Sequence, residues 1–242
     1  MPEYEKRDYR NRIKVRDMVS FSVSIKETDL WISADRDLKK EAENLVHNVR
    51  YKLEEYVDSH PDFLSSLDPV PDDPFAPGII KDMIRNAKKA CVGPMASVAG
   101  AVAQYVAKDL LNHTEQVIIE NGGDIYLKVS RAVTVSIFAG QSPLSHRLGI
   151  VIPQKAMPLG ICSSSGSVGH SLSLGISDVT CILAHSAVLA DAAATALGNK
   201  IHSKNDLHKI PGMAGDIEGI LGGVAIVGDE MAAWGEVELT AL

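Results

Sequence analysis

In the stretch "AVLADAAATALG", residues 187–198, every side chain is Ala, Val, Leu or Gly except Asp191 and Thr195. Read as a helix, an element apolar on all sides is buried. Residues four apart share one face, one turn above the other. A carboxylate and a hydroxyl therefore point together out of a buried helix. Such a carboxylate is costly unless it is hydrogen-bonded, paired or bound to a metal. Two oxygen donors suit a hard cation such as Mg²⁺, which fills the rest of its shell with water or substrate phosphate. The structural alternative is that Asp191 caps a neighbouring loop and Thr195 bonds the backbone one turn back.

Four further stretches hold polar groups in telling company. "GICSSSGSVG" puts Ser163, Ser164 and Ser165 before Gly166. It reads as a loop whose donors could hold a phosphate or a ring carbonyl. "ENGGDIYL" sets Asn121, Gly122, Gly123 and Asp124 between two apolar runs, which predicts a hairpin turn. The glycines there could also admit a ligand, in which case Ala at 123 impairs binding more than folding. "VGPMASVAG" predicts a helix start after Gly93, with Pro94 at its first position and Met95 next. Free N–H groups at such a start can hold an anion, although the Lys of a phosphate loop is missing. In "SVGHSLSLG", His170 shares a strand face with Val168, Leu172 and Leu174. It is either a core histidine or a general base.

The elements that must position these groups follow from periodicity. "RIKVRDMVSFSVSIKETDLWISADRD" alternates with period two and breaks at "KETD", which predicts two or three antiparallel strands. From Asp37 to about Ser59 a helix is expected, with Leu38, Ala42, Leu45, Val49, Leu53 and Tyr56 as its apolar stripe. "DPVPDDPFAP" is a proline-rich rigid connector. "GIIKDMIRNAKKAC" reads as a second amphipathic helix, and "MASVAGAVAQYVAKDLL" as a third, small-residue one able to lie close to a sheet or ligand. Strands are expected at "QVIIE", "IYLKVS", "AVTVSIF", "RLGIVI", "SVGHSLSL" and "DVTCILA", then a helix over Ala187–Leu197 closed by Gly198–Asn199. The tail offers two more strands, "GGVAIVG" and "GEVELTAL". Strands and helices come in runs, which predicts an α+β fold with a largely antiparallel sheet and packed helices. Residues 1–242 are expected to form one domain, with subdomain parts at 1–75 and 76–242.

The chain has 242 residues, 45% hydrophobic and 23% charged, enough for one large core or two modest ones. A net charge of −7 argues against nonspecific nucleic-acid binding. The basic cluster "YEKRDYRNRIKVR" is interleaved with acids and reads as a solvated strand edge. Aromatic residues, at 5%, are too scarce for a base-stacking surface. Cys91, Cys162 and Cys181 match no zinc or redox spacing. They suggest a reducing compartment, with all three as small core hydrophobes. The N-terminus is too charged for a signal peptide and no segment approaches ~20 apolar residues. A cytoplasmic protein without membrane or nucleic-acid partners is expected.

Taken in order, "GPMASVAG", "ENGGDIYL", "SSSG" and "ADAAATAL" resemble the motifs of the ApbE-like superfamily. Members of that family show a Gly-rich helix start, an N-x-G-G-D-like turn, a T-S-G loop and an A-D-A-x-A-T-A helix. The resemblance spans roughly Gly93 to Gly198, and its last motif is the most specific; the nearest likeness is to a compact cytosolic branch. It implies a T-fold-like, ApbE-like architecture. It also implies that Asp191 and Thr195 hold Mg²⁺, and that Asp191 and His170 are catalytic. Gly93, Met95, Asn121, Gly122, Gly123, Asp124, Ser163, Ser164, Ser165 and Gly166 would then line a flavin site. The best-known members are FAD:protein FMN transferases. In these, the cation polarises the FAD pyrophosphate, a protein threonine attacks the FMN phosphorus and AMP leaves. FAD or FMN, Mg²⁺, a phosphorylated small molecule and a protein acceptor are thus the implied partners.

Three departures stand out. Ala99 precedes Gly100 where the transferases have Lys-Gly. Gln104 stands near the place of an Asp. "GHSLSLGISD" replaces an H-x-x-D-P-x-T-G stretch of which His170 is the candidate relic. These changes remove charge and donors expected at the pyrophosphate. They favour an alternative: a non-catalytic metabolic accessory, for example in sulfur assimilation, using the same pocket. A homo-oligomeric scaffold with leftover pocket residues is the third reading.

Overall fold

The computed structural model describes residues 17–166 and 174–242. Eleven strands are present among them: β1 (Val19–Ile25), β2 (Thr28–Ala34), β3 (Val117–Asn121), β4 (Asp124–Lys128), β5 (Val133–Ser136), β6 (Leu148–Ile152), β7 (Leu159–Ser164), β8 (Val179–Ala184), β9 (Ile220–Val227), β10 (Glu230–Gly235) and β11 (Glu238–Ala241). The helices are α1 (Lys39–Ser59), α2 (Pro61–Ser65), α3 (Gly78–Ala90), α4 (Val98–Leu110), α5 (Ala187–Gly198) and α6 (Ile210–Gly215). Eight strands form one sheet in the order β1-β2-β3-β4-β7-β8-β9-β10, and β11-β6-β5 form a second. Every neighbouring pair is antiparallel. The α+β, largely antiparallel expectation holds. The β2–β3 ladder places the strands before residue 76 and the motif-bearing strands in one sheet.

Period two along the strands builds three layers. Ile119, Cys162, Ile182 and Ala225 face the helices. Their neighbours Ile118, Ile161, Cys181 and Val224 face the small sheet, against Ile137, Ile150 and Ile152. A strand covered on both faces needs apolar residues at nearly every position. This explains why all of "VIIEN" in β3 and "VTCILA" in β8 are buried.

α1 buries Ala42, Val49 and Leu53 of the predicted stripe together with Val46, which lay outside it, while Leu45 and Tyr56 are half-buried. The short α2, not foreseen, lies between α1 and the proline-rich connector. α3 stops at Cys91, whose φ of 55° is the left-handed conformation that often closes a helix. Cys91 is exposed there, which corrects its assignment to the core; Cys162 and Cys181 are buried as expected. Pro94 opens a single 3₁₀ turn, Pro94–Ser97, that runs directly into α4. Ser163 and Ser164 end strand β7, so they belong to a strand and not to the expected loop. The expected strand "SVGHSLSL" lies largely outside the described residues. β10 and α6 were not foreseen, and the tail carries three strands rather than two.

Candidate functional site

The turn "NGGD" joins β3 to β4 as a two-residue hairpin, with Gly122 at φ 67° and Gly123 at φ 109°. Two positive-φ residues match the twist of the flanking strands, and glycine takes them without steric cost. A Cβ built on Gly123 would meet nothing within 4 Å, so that face of the turn is open. The N–H of Gly123 is not: it donates to Glu120 Oε1 at 2.8 Å. Asn121 and Asp124 face each other across the hairpin, both buried. Asn121 Nδ2 donates to the Ala99 carbonyl at 3.1 Å, tying the hairpin to the first turn of α4.

Asp191 meets the same turn of α4. Its Oδ2 accepts the Gly100 N–H at 2.8 Å, and the Ala99 N–H adds to it. The anion-binding helix start expected beyond Gly93 is thus served from inside, by the chain's own carboxylate. This is close to the capping role weighed as the structural alternative, except that the partner is a helix start and not a loop. Asp124 accepts the Ser163 N–H from β7 at 3.2 Å. Between the two acids lies Cys162, whose thiol donates to the Ala187 carbonyl at 3.3 Å.

The electrostatics follow from burial. Asp124 and Asp191 are 6% and 8% exposed, which disfavours their charged forms. Burial pushes the Asp124 carboxyl up to about 7; the Ser163 N–H and Cys162 thiol partly offset this, and the charge of Glu120 adds to it. Burial raises Asp191 well above the carboxylate range, the neighbouring Asp124 adds to this, and the Gly100 and Ala99 N–H groups oppose it. The Cys162 thiol is raised by burial and then by both acids. Two carboxyls that repel one another in the low-dielectric interior are what a bound cation would relieve.

The donor chemistry fits Mg²⁺. Of the twelve residues of α5, eleven are buried and only Thr195 is partly exposed. It stands one turn beyond Asp191 on the same helix face. Asp124, Asp191 and Thr195 are all oxygen donors. Among the described residues no group of three or more His, Cys, Asp or Glu side chains gathers as a metal cage. A cation here would complete its shell from water and phosphate, as Mg²⁺ commonly does.

Other expected residues stand at varied distances from this centre. A Cβ on Gly93 would fall 1.8 Å from the Ser66 carbonyl, so its missing side chain makes room for the segment after α2. Met95 is half-buried against the helical core. Ser164 lies near the end of α5, its Cβ 3.7 Å from where a Cβ on Gly198 would be. Ser165 is half-buried and Gly166 is exposed; the Gly166 N–H donates to the Ser177 carbonyl at 2.9 Å. His170 lies outside the described residues. His185 is exposed before α5, with Nδ1 3.2 Å from the Pro158 carbonyl.

Of three further buried residues at this centre, Glu120 escaped the sequence reading, whereas Cys162 entered it only as a core cysteine and Gln104 only as a departure from the family pattern. Glu120 follows the apolar run "VII" in β3, Cys162 ends the run "LGIC", and Gln104 is a carboxamide within the small-residue face of α4. Gln104 Oε1 accepts the Ala187 N–H at 2.7 Å. It carries the same signal as Asp191, a polar exception in an apolar helix. The approach of the backbones here is close. A Cβ on Gly100 would lie 2.4 Å from the Ala187 carbonyl oxygen, and one on Gly160 would lie 2.3 Å from Ala187 Cα.

Comparison with known proteins agrees with this architecture. A family model described as "AbpE bacteria" matches residues 10–229. A UPF0280 protein of Methanococcus aeolicus is 37% identical over 226 residues, covering 91% of each chain. One from Methanococcus maripaludis is 45% identical over 181 residues, covering 73% of each. Among solved structures, the apo flavinyl transferase ApbE of Pseudomonas stutzeri superposes with a TM-score of 0.60 at 11% identity, over 89% of this chain and 94% of that one. The ApbE protein of Thermotoga maritima gives 0.59 at 11% identity, over 90% and 97%. At such identities the likeness establishes the fold alone. With the family match spanning most of its length, the chain belongs to the ApbE-like family of UPF0280 proteins.

Proposed function

We propose that the pocket between the β3–β4 hairpin and the starts of α4 and α5 binds FAD, FMN or a related phosphorylated ligand together with Mg²⁺, and transfers FMN from FAD to a protein hydroxyl. The observation that carries this reading is the pair of buried carboxyls, Asp124 and Asp191, set beside Thr195 in a fold shared with flavin transferases. Asp124, Asp191 and Thr195 would hold the cation, which when bound offsets charge on the phosphoryl oxygens. The open face at Gly123 leaves room for a ring or ribose beside the hairpin. The Gly100 and Ala99 N–H groups keep Asp191 aimed at the pocket. In the transfer, the acceptor oxygen bonds to the FMN phosphorus, the pyrophosphate linkage breaks, AMP departs and the hydroxyl proton is lost to base. Buried free thiols at Cys162 and Cys181 suit a cytoplasmic setting. No single helix is long and apolar enough to cross a membrane among the described residues.

The test is incubation of the full chain with FAD, Mg²⁺ and a threonine-containing acceptor, with AMP measured by chromatography. AMP release that requires Mg²⁺ and vanishes in Asp191→Asn is the expected result. If FAD, FMN and ADP all leave the melting temperature unchanged with Mg²⁺ present, the reading is wrong. A second reading, binding without transfer, is favoured by Ala99 in place of a Lys and by a Gln104 carboxamide engaged within the protein. Stabilisation by FAD without any AMP would select it.

A further inference from the structure

Helix α5 begins at Ala187, whose N–H has no acceptor within its own helix. Gln104 supplies one from α4, with Oε1 2.7 Å away, and it is itself only 3% exposed. In return α5 supplies Asp191 to the Gly100 N–H in the first turn of α4, at 2.8 Å. The two bonds cross between the same pair of helices. Gly100 and Gln104 are four apart on α4; Ala187 and Asp191 are four apart on α5. Each pair occupies one face of its helix. Thr195 continues the α5 face by one more turn.

The setting of α5 along its axis therefore depends on both bonds. A helix rises 1.5 Å per residue, so a shift of even one residue would take Asp191 out of hydrogen-bonding range of Gly100. Ser186 holds the other side of the helix start, through a longer contact of 3.4 Å to the Leu189 N–H. Gln104 makes the shorter bond, and it lies on the side facing Asp191.

On the reading of this pocket as a cation and flavin-nucleotide site, we infer that Gln104 is a positioning residue: by holding the Ala187 N–H it fixes the register of α5 on α4 and so aims Asp191 and Thr195 into the pocket. Gln104 touches no ligand in this role. It acts through the backbone of α5, and it needs an acceptor of the right reach, not a charge. Leucine has similar bulk and no acceptor. Glutamate has the same reach and keeps an acceptor. Asparagine keeps the carboxamide but is one carbon too short.

The experiment compares the full-length wild type with Gln104→Leu, Gln104→Glu and Gln104→Asn. Amide hydrogen exchange is read at Ala187 and Gly100, each protein at the same interval below its own melting temperature. The Mg²⁺ concentration for half-maximal stabilisation by FAD is read in parallel. In Gln104→Leu, exchange at Gly100 should rise by about tenfold along with that at Ala187, and the Mg²⁺ requirement should rise by about the same factor. Gln104→Glu should restore both. If Leu does not fold, Gln104→Asn should show the same direction of change. A purely structural role would lower the melting temperature and leave Gly100 exchange and the Mg²⁺ requirement where they are; that result overturns the inference. Should Gly100 exchange respond while the wild type ignores Mg²⁺ and FAD, the positioning role stands and the flavin reading alone fails.

Discussion

Asp124 lies in the interior with the Ser163 N–H, the Cys162 thiol and little else to stabilise its charge. Its carboxyl keeps a proton to about 7 in the folded chain, against an ordinary value of 3.8. Between those values the folded state binds more protons than the unfolded one, so stability falls as pH rises, and this decline ends above about 7. Asp191, also raised, acts in the same direction. The ligand-free protein should therefore be more resistant to urea at pH 5 than at pH 8. Asp124→Asn should flatten that slope and exceed the wild type at pH 8. Parallel pH profiles for the two proteins would contradict the environment described. Gly123 makes a second case. Sequence alone suggests that Ala there harms binding more than folding. The φ of 109° adds backbone strain of roughly 1–2 kcal/mol, so urea denaturation of Gly123→Ala should show a loss of that size even though no atom blocks the new methyl. At this scale Asp191 and Thr195 were legible because they interrupt an apolar helix. Gln104 was equally legible by the same rule. Glu120 was not, since a lone acid in a short strand says nothing about which N–H it will meet.

At the scale of elements, α4 and α5 cross where one of them has no side chain. Ala is the better helix former by about 1 kcal/mol. Yet a Cβ on Gly100 would sit 2.4 Å from the Ala187 oxygen and 2.9 Å from Asp191 Cβ. Forcing the helices apart costs ~1–3 kcal/mol. Gly100→Ala should therefore lower stability in chemical denaturation despite its propensity; a gain would disprove the close crossing. α1 and α3, with strong periodicity, and α5, an apolar run of helical length between cap signals, could be read directly. Others could not, for physical reasons. β10, "EMAAWG", has weak strand propensity and exists through its ladder with β9. α6, "IPGMAG", carries two glycines and is held by Ile210 and Ala214 in the core. Ser163 and Ser164 look like loop residues but continue the ladder that buried "LGIC" begins. Cys91 takes the left-handed position that composition would assign to a nearby glycine.

For the whole molecule, antiparallel order was readable from the runs of strands, whereas the layering was not. Both faces of the large sheet are covered, so its central strands lose the alternation that would mark one buried side. The candidate site draws on β3, β4, β7, α4 and α5 at once, so a ligand there should stabilise the fold as a unit. Ligand at a hundred times its dissociation constant adds ~2.7 kcal/mol. For a chain of this size that is a rise in melting temperature of roughly 5–10 °C. Calorimetry with FAD and Mg²⁺ should show one cooperative transition moving upward by that amount. An early step that shifts alone would mean the pocket belongs to a separately melting part.

Ala187 is gripped between Gly100 on one side and Gly160 on the other, with no room for a Cβ at either glycine. A drifting sequence cannot enlarge one of them and adjust the others later, because each intermediate would already have pushed α5 off its neighbours. Variation in this lineage should therefore run through the ligand-facing residues while the three small ones persist together. New ligand preferences would then arise on a scaffold whose acid stays in the same place.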